Sequence, residues 1–247
     1  MFAQLLPNAL LLQSLIPIKG FYFSFNAVSW YLSDTMLFAL VFPFIVKGLN
    51  RLGKNGKIAV LVAMLMAYSA LVYLLPVENR HAILYINPLV RIVDFILGIY
   101  LYMLYKNIKW KVPSFTEKQE RWSSFVNVLI FTFTVAISYV ASDDTVLIAA
   151  VYWISVCILL IMSMLTGVFF GGGKIYNFVV WIGDISCPIF LTHQLVIRYV
   201  NTFCNVIGFD NASIRVAVII PLIITATWLC DKYFVRPVSL WLQERIN

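Results

Sequence analysis

Long apolar runs, separated by short polar stretches, dominate the chain and predict membrane-spanning helices. A helix needs about 20 apolar residues to cross the hydrocarbon core of a bilayer, and the charged positions divide this chain into runs that approach that length. We predict spans at residues 3–18, 30–46, 58–75, 88–105, 124–141, 146–165, 175–197 and 214–233. The first is the weakest prediction, because it is short and carries Gln4, Asn8 and Gln13.

Composition supports the same class. The chain has 247 residues, of which 62% are hydrophobic and 12% are charged. Soluble domains are about half apolar and a quarter charged, so this composition excludes a soluble globular protein. Disorder is excluded because it requires low hydrophobicity, and a transmembrane β-barrel would alternate polar and apolar positions. We predict an all-α, polytopic transmembrane helix bundle of about 7–8 spans, formed by residues 1–247 as one domain.

The basic residues predict how the chain is oriented. Residues 47–57 and 106–121 are rich in Lys and Arg, whereas the connections at 76–87 and 141–145 are nearly free of them. Because basic loops remain on the cytoplasmic side, both termini are predicted to be cytoplasmic. The same rule accounts for the net charge of +7, so we expect no nucleic-acid partner.

Five ionisable residues lie inside predicted spans, where a charge is costly and marks a candidate functional site. Asp34 lies in the second span, Arg91 and Asp94 in the fourth, and Asp184 and His193 in the seventh. Arg91 and Asp94, three positions apart, share one helix face. The predicted orientation places all but Asp184 near the outer membrane surface. We therefore expect Asp34, Arg91, Asp94 and His193 to face one cavity open to the outside.

Each of these residues also has a purely structural interpretation. Arg91 and Asp94 neutralise each other at the membrane interface in one alternative. Asp34, after Ser33, caps a helix and complements its dipole in another. His193 forms a hydrogen bond with a neighbouring helix in a third. Tryptophans at the span ends are expected to anchor the protein at the interface: Trp30, Trp110, Trp122 and Trp241.

The sequence lacks the common motifs of metal-binding, phosphate-binding and soluble catalytic sites. The four cysteines show no CxxC or Cys/His spacing, so neither a disulfide framework nor a metal site is expected. The GGGK stretch at 171–174 lacks the first Gly of a phosphate-binding loop and the Ser or Thr that follows its Lys. No GxSxG, HExxH or HxxxD pattern occurs.

Four ordered segments carry a resemblance to a known family. Residues 30–43, WYLSDTMLFALVFP, resemble the "W-S-L-S-x-E-x-x-F-Y-L-x-F-P" stretch of the acyltransferase 3 family. Residues 87–98, NPLVRIVDFILG, are similar to its "P-x-x-R-x-x-E/D-F-x-L-G" helix. Residues 183–193, GDISCPIFLTH, resemble its "G-x-x-S-Y-x-x-Y-L-x-H" helix, and residues 233–237, YFVRP, its closing "Y-x-x-E-x-P". Together these segments extend over nearly the whole chain.

The resemblance implies an integral membrane enzyme, in a bacterial inner membrane, that transfers acetyl or other acyl groups. The implied donor is acyl-CoA, in particular acetyl-CoA, and the implied acceptor is a sugar hydroxyl of cell-surface polysaccharide or lipopolysaccharide. No metal is implied. Within such an enzyme we predict catalytic roles for His193 and Asp34, and the resemblance suggests that Gly98 allows close helix packing. Substrate-binding roles fall to four residues: Arg91, Asp94, Trp30 and Ser33.

The chain also departs from the family pattern. The family's first helices, with an Arg-to-His motif credited with the catalytic base, precede the segment matched by residues 30–43, so we expect a member that lacks them. Thr35 stands where the family has Glu, Cys187 replaces an aromatic residue, and Val235 replaces the closing Glu. Two alternatives therefore stay open: a non-catalytic polysaccharide or lipid transporter or export component, and an inactive remnant. The lipid bilayer is the expected environment, and the sequence carries no signal for an oligomeric state.

The orientation can be tested by cysteine labelling. Because residue 55 lies in a basic connection, an Asn55→Cys variant should react with an impermeant thiol reagent only after the inner membrane is breached. Ser142→Cys should react in intact cells. The reverse labelling pattern would reject the predicted orientation.

Overall fold

The computed structural model describes residues 2–111, 115–140, 145–166 and 174–246, and this part of the chain forms helices and turns without a strand. The helices are α1 (Phe2–Ala9), α2 (Lys19–Tyr22), α3 (Trp30–Arg51), α4 (Lys54–Leu74), α5 (Val77–Arg80), α6 (Pro88–Ile108), α7 (Glu117–Val140), α8 (Thr145–Thr166), α9 (Lys174–Val206), α10 (Ala212–Cys230) and α11 (Arg236–Ile246). Short 3-10 or π segments lie at Gln13–Leu15, Ala27–Ser29, His81–Ile86, Lys109–Lys111 and Asp231–Val235. The predicted all-α class is confirmed.

Membrane-spanning helices account for most of the described chain. Six helical stretches are long and apolar enough to cross a bilayer: Ala27–Arg51, Lys54–Leu74, Pro88–Lys111, Glu117–Val140, Val180–Val206 and Ala212–Arg245. In α8, residues Trp153–Thr166 add a shorter apolar stretch. The predicted second to eighth spans coincide with α3, α4, α6, α7, α8, α9 and α10. The polytopic architecture is confirmed, while the total number of spans and the side of each terminus stay predictions.

The predicted first span, 3–18, is wrong. Helix α1 ends at Ala9, and Leu11 adopts a left-handed backbone conformation with φ of 53°, which interrupts any continuous helix. The 3-10 turn that follows buries Gln13 and Ser14, which are 0% and 1% exposed. Polar side chains in lipid must find partners within the protein, so this segment packs as a folded-back turn.

Asparagine side chains begin several of the helices. Asn26, Asn87 and Asn211 each accept a hydrogen bond from a backbone N–H two or three residues later, which satisfies a donor that the first turn leaves free. Pro88 then occupies the first position of α6, where its fixed φ suits a helix start. Asp34 lies inside α3, one turn from its start, so the alternative in which Asp34 caps a helix is wrong.

The chain divides into two compact units. The first consists of Met1–Tyr22 and Tyr31–Tyr176, and within it α4, α6 and α8 contact one another while α7 packs along α8. The second consists of Phe23–Trp30 and Asn177–Asn247. In this second unit a hydrogen bond of 3.1 Å between the Thr192 and Thr227 hydroxyls joins α9 to α10.

Some expectations fall outside the described residues. These are the acidic connection at 141–144, with the Ser142 labelling position, and the glycine-rich turn at 171–173. The prediction that residues 1–247 form one domain also stays a prediction.

Candidate functional site

A buried polar cluster in the first unit joins α3 to the N-terminal turn. Ser33 Oγ donates to the carbonyl oxygen of Leu11 at 2.5 Å, and Ser14 Oγ donates to Ser33 Oγ at 2.7 Å. The Asp34 carboxyl group also forms a hydrogen bond with Ser14. Ser14, Ser33 and Asp34 are each at most 2% exposed. The hydroxyl groups therefore hold the N-terminal turn against the carboxyl group of Asp34.

One carboxyl oxygen of Asp34, Oδ1, is buried without a hydrogen-bond donor among the described residues. Such an atom in an apolar environment is costly unless a partner is supplied. The Ser14 hydrogen bond and, to a smaller extent, the positive charge of Arg91 on α6 favour the charged form of Asp34.

Helices α3 and α6 run side by side in the same direction. Asp34 interacts with Arg91, and Phe38 stacks on Phe95 with ring centroids 5.2 Å apart. Both pairs are 57 positions apart in the sequence. The equal spacing of these two pairs indicates that the two helices run in the same direction, and Phe42 on α3 also contacts the Phe95 ring, at 6.0 Å between centroids.

Asp94 is the best-satisfied acidic group of the site. Its Oδ2 forms a salt bridge of 2.7 Å with Arg91 Nη1, one turn earlier on α6. Its Oδ1 accepts a hydrogen bond of 2.7 Å from the indole N–H of Trp153 on α8. The ion pair predicted from their spacing is present, and each partner is about a third exposed, at 32%.

Aromatic rings surround this ion pair. The Arg91 guanidinium lies over the Tyr85 ring at 5.8 Å, and Tyr68 on α4 contacts the Trp153 ring at 4.5 Å between centroids. Trp153 and Tyr68 were not among the predicted site residues, because they lie far from Asp94 along the chain. Their only signal is that an indole or phenol inside a membrane span needs a polar partner.

His193, in the second unit, bonds within its own helix. Its Nδ1 lies 3.0 Å from the carbonyl oxygen of Ile189 on α9, so the alternative of a bond to a neighbouring helix is wrong. The ring is partly buried and lies against Phe190, 6.0 Å away between centroids. Asp184, on the same helix, is exposed.

The remaining predicted residues occupy different environments. Trp30 is 6% exposed and therefore buried, so the prediction that it anchors the protein at the interface is wrong. The exposed tryptophans Trp110, Trp122 and Trp241 remain suited to that role. The structure places Ser33, Asp34, Arg91 and Asp94 in the first unit, and Trp30 and His193 in the second. It brings Asp34, Arg91 and Asp94 together, while their expected cavity with His193 stays a prediction.

A groove of about 780 Å³ runs between α3 and α6. Its walls are apolar and consist of Phe42, Val46, Phe95, Ile99, Tyr102 and Met103. Asp94 lies at one end, and Asn50 and Lys106 lie at the other. The groove therefore connects the Arg91–Asp94 pair with the C-terminal ends of both helices.

Gly98 lines this groove and does not support a close helix contact. A Cβ atom built on Gly98 meets nothing within 4 Å. The expectation that Gly98 allows close helix packing is therefore wrong for the described chain. The missing side chain instead leaves open space about a third of the way from Asp94 to Lys106.

Metal-binding and thiol groups are scattered. Within the described ranges, no three His, Cys, Asp or Glu residues come together in a way that would hold a metal ion. All four cysteines are free. The polar groups gathered on α3, α6 and α8 are instead suited to hydrogen bonding and to charge compensation.

The fold and this buried polar site define an integral membrane protein whose interior carries charged and hydrogen-bonding side chains. A family model described as an acyltransferase domain, that of the acyltransferase 3 family, matches residues 2–232. The chain belongs to this family, and it is a membrane acyltransferase. No curated protein and no solved structure matches it. The family resemblance drawn from the four sequence segments is confirmed.

The indole N–H of Trp153 can be tested as a structural support of Asp94. A Trp153→Phe variant keeps an aromatic ring beside Tyr68 but leaves Asp94 Oδ1 without its donor, so we expect a loss of about 1–3 kcal/mol in unfolding free energy. Denaturant-induced unfolding in detergent micelles provides the measurement. Trp181→Phe, at a residue that is 53% exposed, is the matched control. Equal losses in the two variants would show that the indole hydrogen bond contributes nothing specific.

Proposed function

We propose that the chain is an O-acyltransferase that moves an acyl group from acyl-CoA, with acetyl-CoA as the simplest donor, to a sugar hydroxyl. The acceptor is a cell-surface polysaccharide or lipopolysaccharide, and the enzyme is a multi-pass protein of a bacterial inner membrane. Family membership supports the acyl transfer, and the resemblance of the four segments supports the choice of donor and acceptor.

The hydrogen bond of His193 is the observation that supports this chemistry most directly. A backbone carbonyl can only accept, so the contact with Ile189 O requires the proton of a neutral ring to be on Nδ1. Nε2 then carries the lone pair. A histidine in this tautomer can remove a proton from a hydroxyl group, which is the first requirement of transfer to a sugar.

The proposed reaction replaces the C–S bond of the thioester by a C–O bond and moves one proton from the hydroxyl oxygen to the sulfur. The sugar hydroxyl oxygen attacks the thioester carbonyl carbon, a C–O bond forms, and the C–S bond breaks. The hydroxyl proton passes to His193 Nε2 and then to the departing CoA sulfur, so that protons and charges balance. Asp34 Oδ1, a buried acceptor, orients a hydroxyl group of the acceptor in this proposal.

The substrate-binding roles follow from the charges of the first unit. Arg91 presents a cation that holds an acidic group of the glycan. Asp94, held by Trp153, fixes the direction of that guanidinium. Ser33 supports the Asp34 side of the cluster through its bonds to the N-terminal turn. Trp30 contributes a buried aromatic surface for the sugar in this proposal.

Substitution of His193 tests the proposal. His193→Gln removes the base, and general-base catalysis is worth about 10²–10⁴ in rate, so we expect a loss of that size with an unchanged unfolding transition. Transfer of labelled acetyl groups from acetyl-CoA to membrane glycans provides the measurement. His81→Gln, at the only other histidine, is the matched control and should retain activity.

Two results would count against this function. Wild-type rates in His193→Gln would reject His193 as the base. Uptake or export of an unmodified glycan, with no CoA-dependent transfer by the wild-type protein, would favour a transporter instead.

A further inference from the structure

We propose that the groove between α3 and α6 holds the phosphopantetheine arm of the acyl donor, and that Gly98 keeps this groove wide enough for it. The phosphate end lies at Lys106 and the thioester end lies at Asp94. This inference rests on the proposed function, because it names the place where the donor of that reaction binds.

The length of the groove agrees with the length of the arm. Asp94 and Lys106 lie on the same helix, and at 1.5 Å per residue they are about 18 Å apart along its axis. The arm from phosphorus to sulfur contains about 13 bonds, and at the rise per bond of an extended peptide it spans about 16 Å. The two lengths differ by about 2 Å, which is the rise of one or two helical residues.

The chemistry of the two ends distinguishes this ligand from a lipid chain. Lys106 supplies an ammonium group at one end, which suits a phosphate. The other end is the charged pair of Arg91 and Asp94. A fatty chain would place its terminal methyl group against this pair and remove it from water without compensation, whereas a thioester carbonyl is polar. A chain with polar groups at both ends fits better.

The walls between these ends suit the middle of the arm. Phe42, Phe95 and Met103 offer apolar surface to its methyl and methylene groups, and Tyr102 and Asn50 carry polar atoms within the same lining. The predicted orientation places Lys106 on the cytoplasmic side, where acyl-CoA is found. The donor would therefore enter at Lys106 and extend its thioester towards Asp94.

Gly98 has no neighbour that a side chain would displace. Its added Cβ meets nothing within 4 Å, so a leucine there enters the groove rather than another helix. Gly48, on α3, is equally open but does not line the groove. The two glycines form a matched pair in which only one substitution obstructs the ligand.

Protection of an introduced thiol tests the inference without relying on catalysis. In the full chain with its four cysteines replaced by serine, Met103→Cys is alkylated in micelles with and without CoA. CoA at ten times its Kd should slow this reaction about tenfold, because about one tenth of the grooves remain empty. Pantetheine, which lacks the phosphate, should protect far less at the same concentration. Gly48→Cys is the control and should react at the same rate with or without CoA.

Substitutions within the groove complete the test. Gly98→Leu, tested with the Met103→Cys reporter, should abolish protection by CoA and raise the KM for acetyl-CoA without lowering the unfolding temperature, whereas Gly48→Leu should change neither. Lys106→Gln should weaken protection by CoA towards that by pantetheine. Unaltered protection in Gly98→Leu, equal protection by pantetheine, or slow alkylation by bound lipid that CoA does not change would each overturn the inference.

The same assays separate this inference from the proposed function. Protection of Met103→Cys by CoA with no acyl transfer by the wild-type protein would retain the groove as a CoA site and reject the function. Acyl transfer by the wild-type protein with no protection at Met103→Cys would retain the function and reject the groove.

Discussion

The need to compensate charge inside the membrane determines the arrangement of the first unit. Asp94 cannot remain in an apolar environment without partners, and its two oxygens are satisfied by Arg91 and by the Trp153 indole N–H. The second of these bonds fixes α8 against α6, and Trp153 in turn contacts Tyr68 on α4. Arg91 also acts on Asp34, which connects α6 to α3. Asp94 is thus linked to α6 and α8 through its own partners, and to α4 and α3 through the neighbours of those partners.

The parts of this arrangement that depend on neighbouring residues could be predicted from the sequence. The start of α6 follows from Asn87 and Pro88, which cap and begin a helix, and the Arg91–Asp94 pair follows from a spacing of three. The apolar runs gave the positions of the later spans because a bilayer sets a minimum length. Local physics was sufficient for each of these predictions.

The parts that depend on distant residues could not be predicted. Trp153 and Asp94 are 59 positions apart in the sequence, and no sequence pattern predicts their hydrogen bond. The N-terminal run is apolar enough to suggest a span, yet buried Ser14 bonds to Ser33, and that partner is known only once the chain has folded back. The role of Gly98 could not be predicted for the same reason. A small residue allows close helix packing or leaves open space, depending on which residues lie opposite it.

The polar and apolar halves of the α3–α6 pair have different physical origins. Near their starts, Phe38 stacks on Phe95, and the charge of Arg91 acts on Asp34. Further along, helices in lipid gain little from burying apolar surface against each other, because lipid chains are equally apolar. Space beside Gly98 is therefore less costly than a cavity in a soluble core. A groove can persist there as long as the contacts near the helix starts, among them Phe38 on Phe95, keep the two helices aligned.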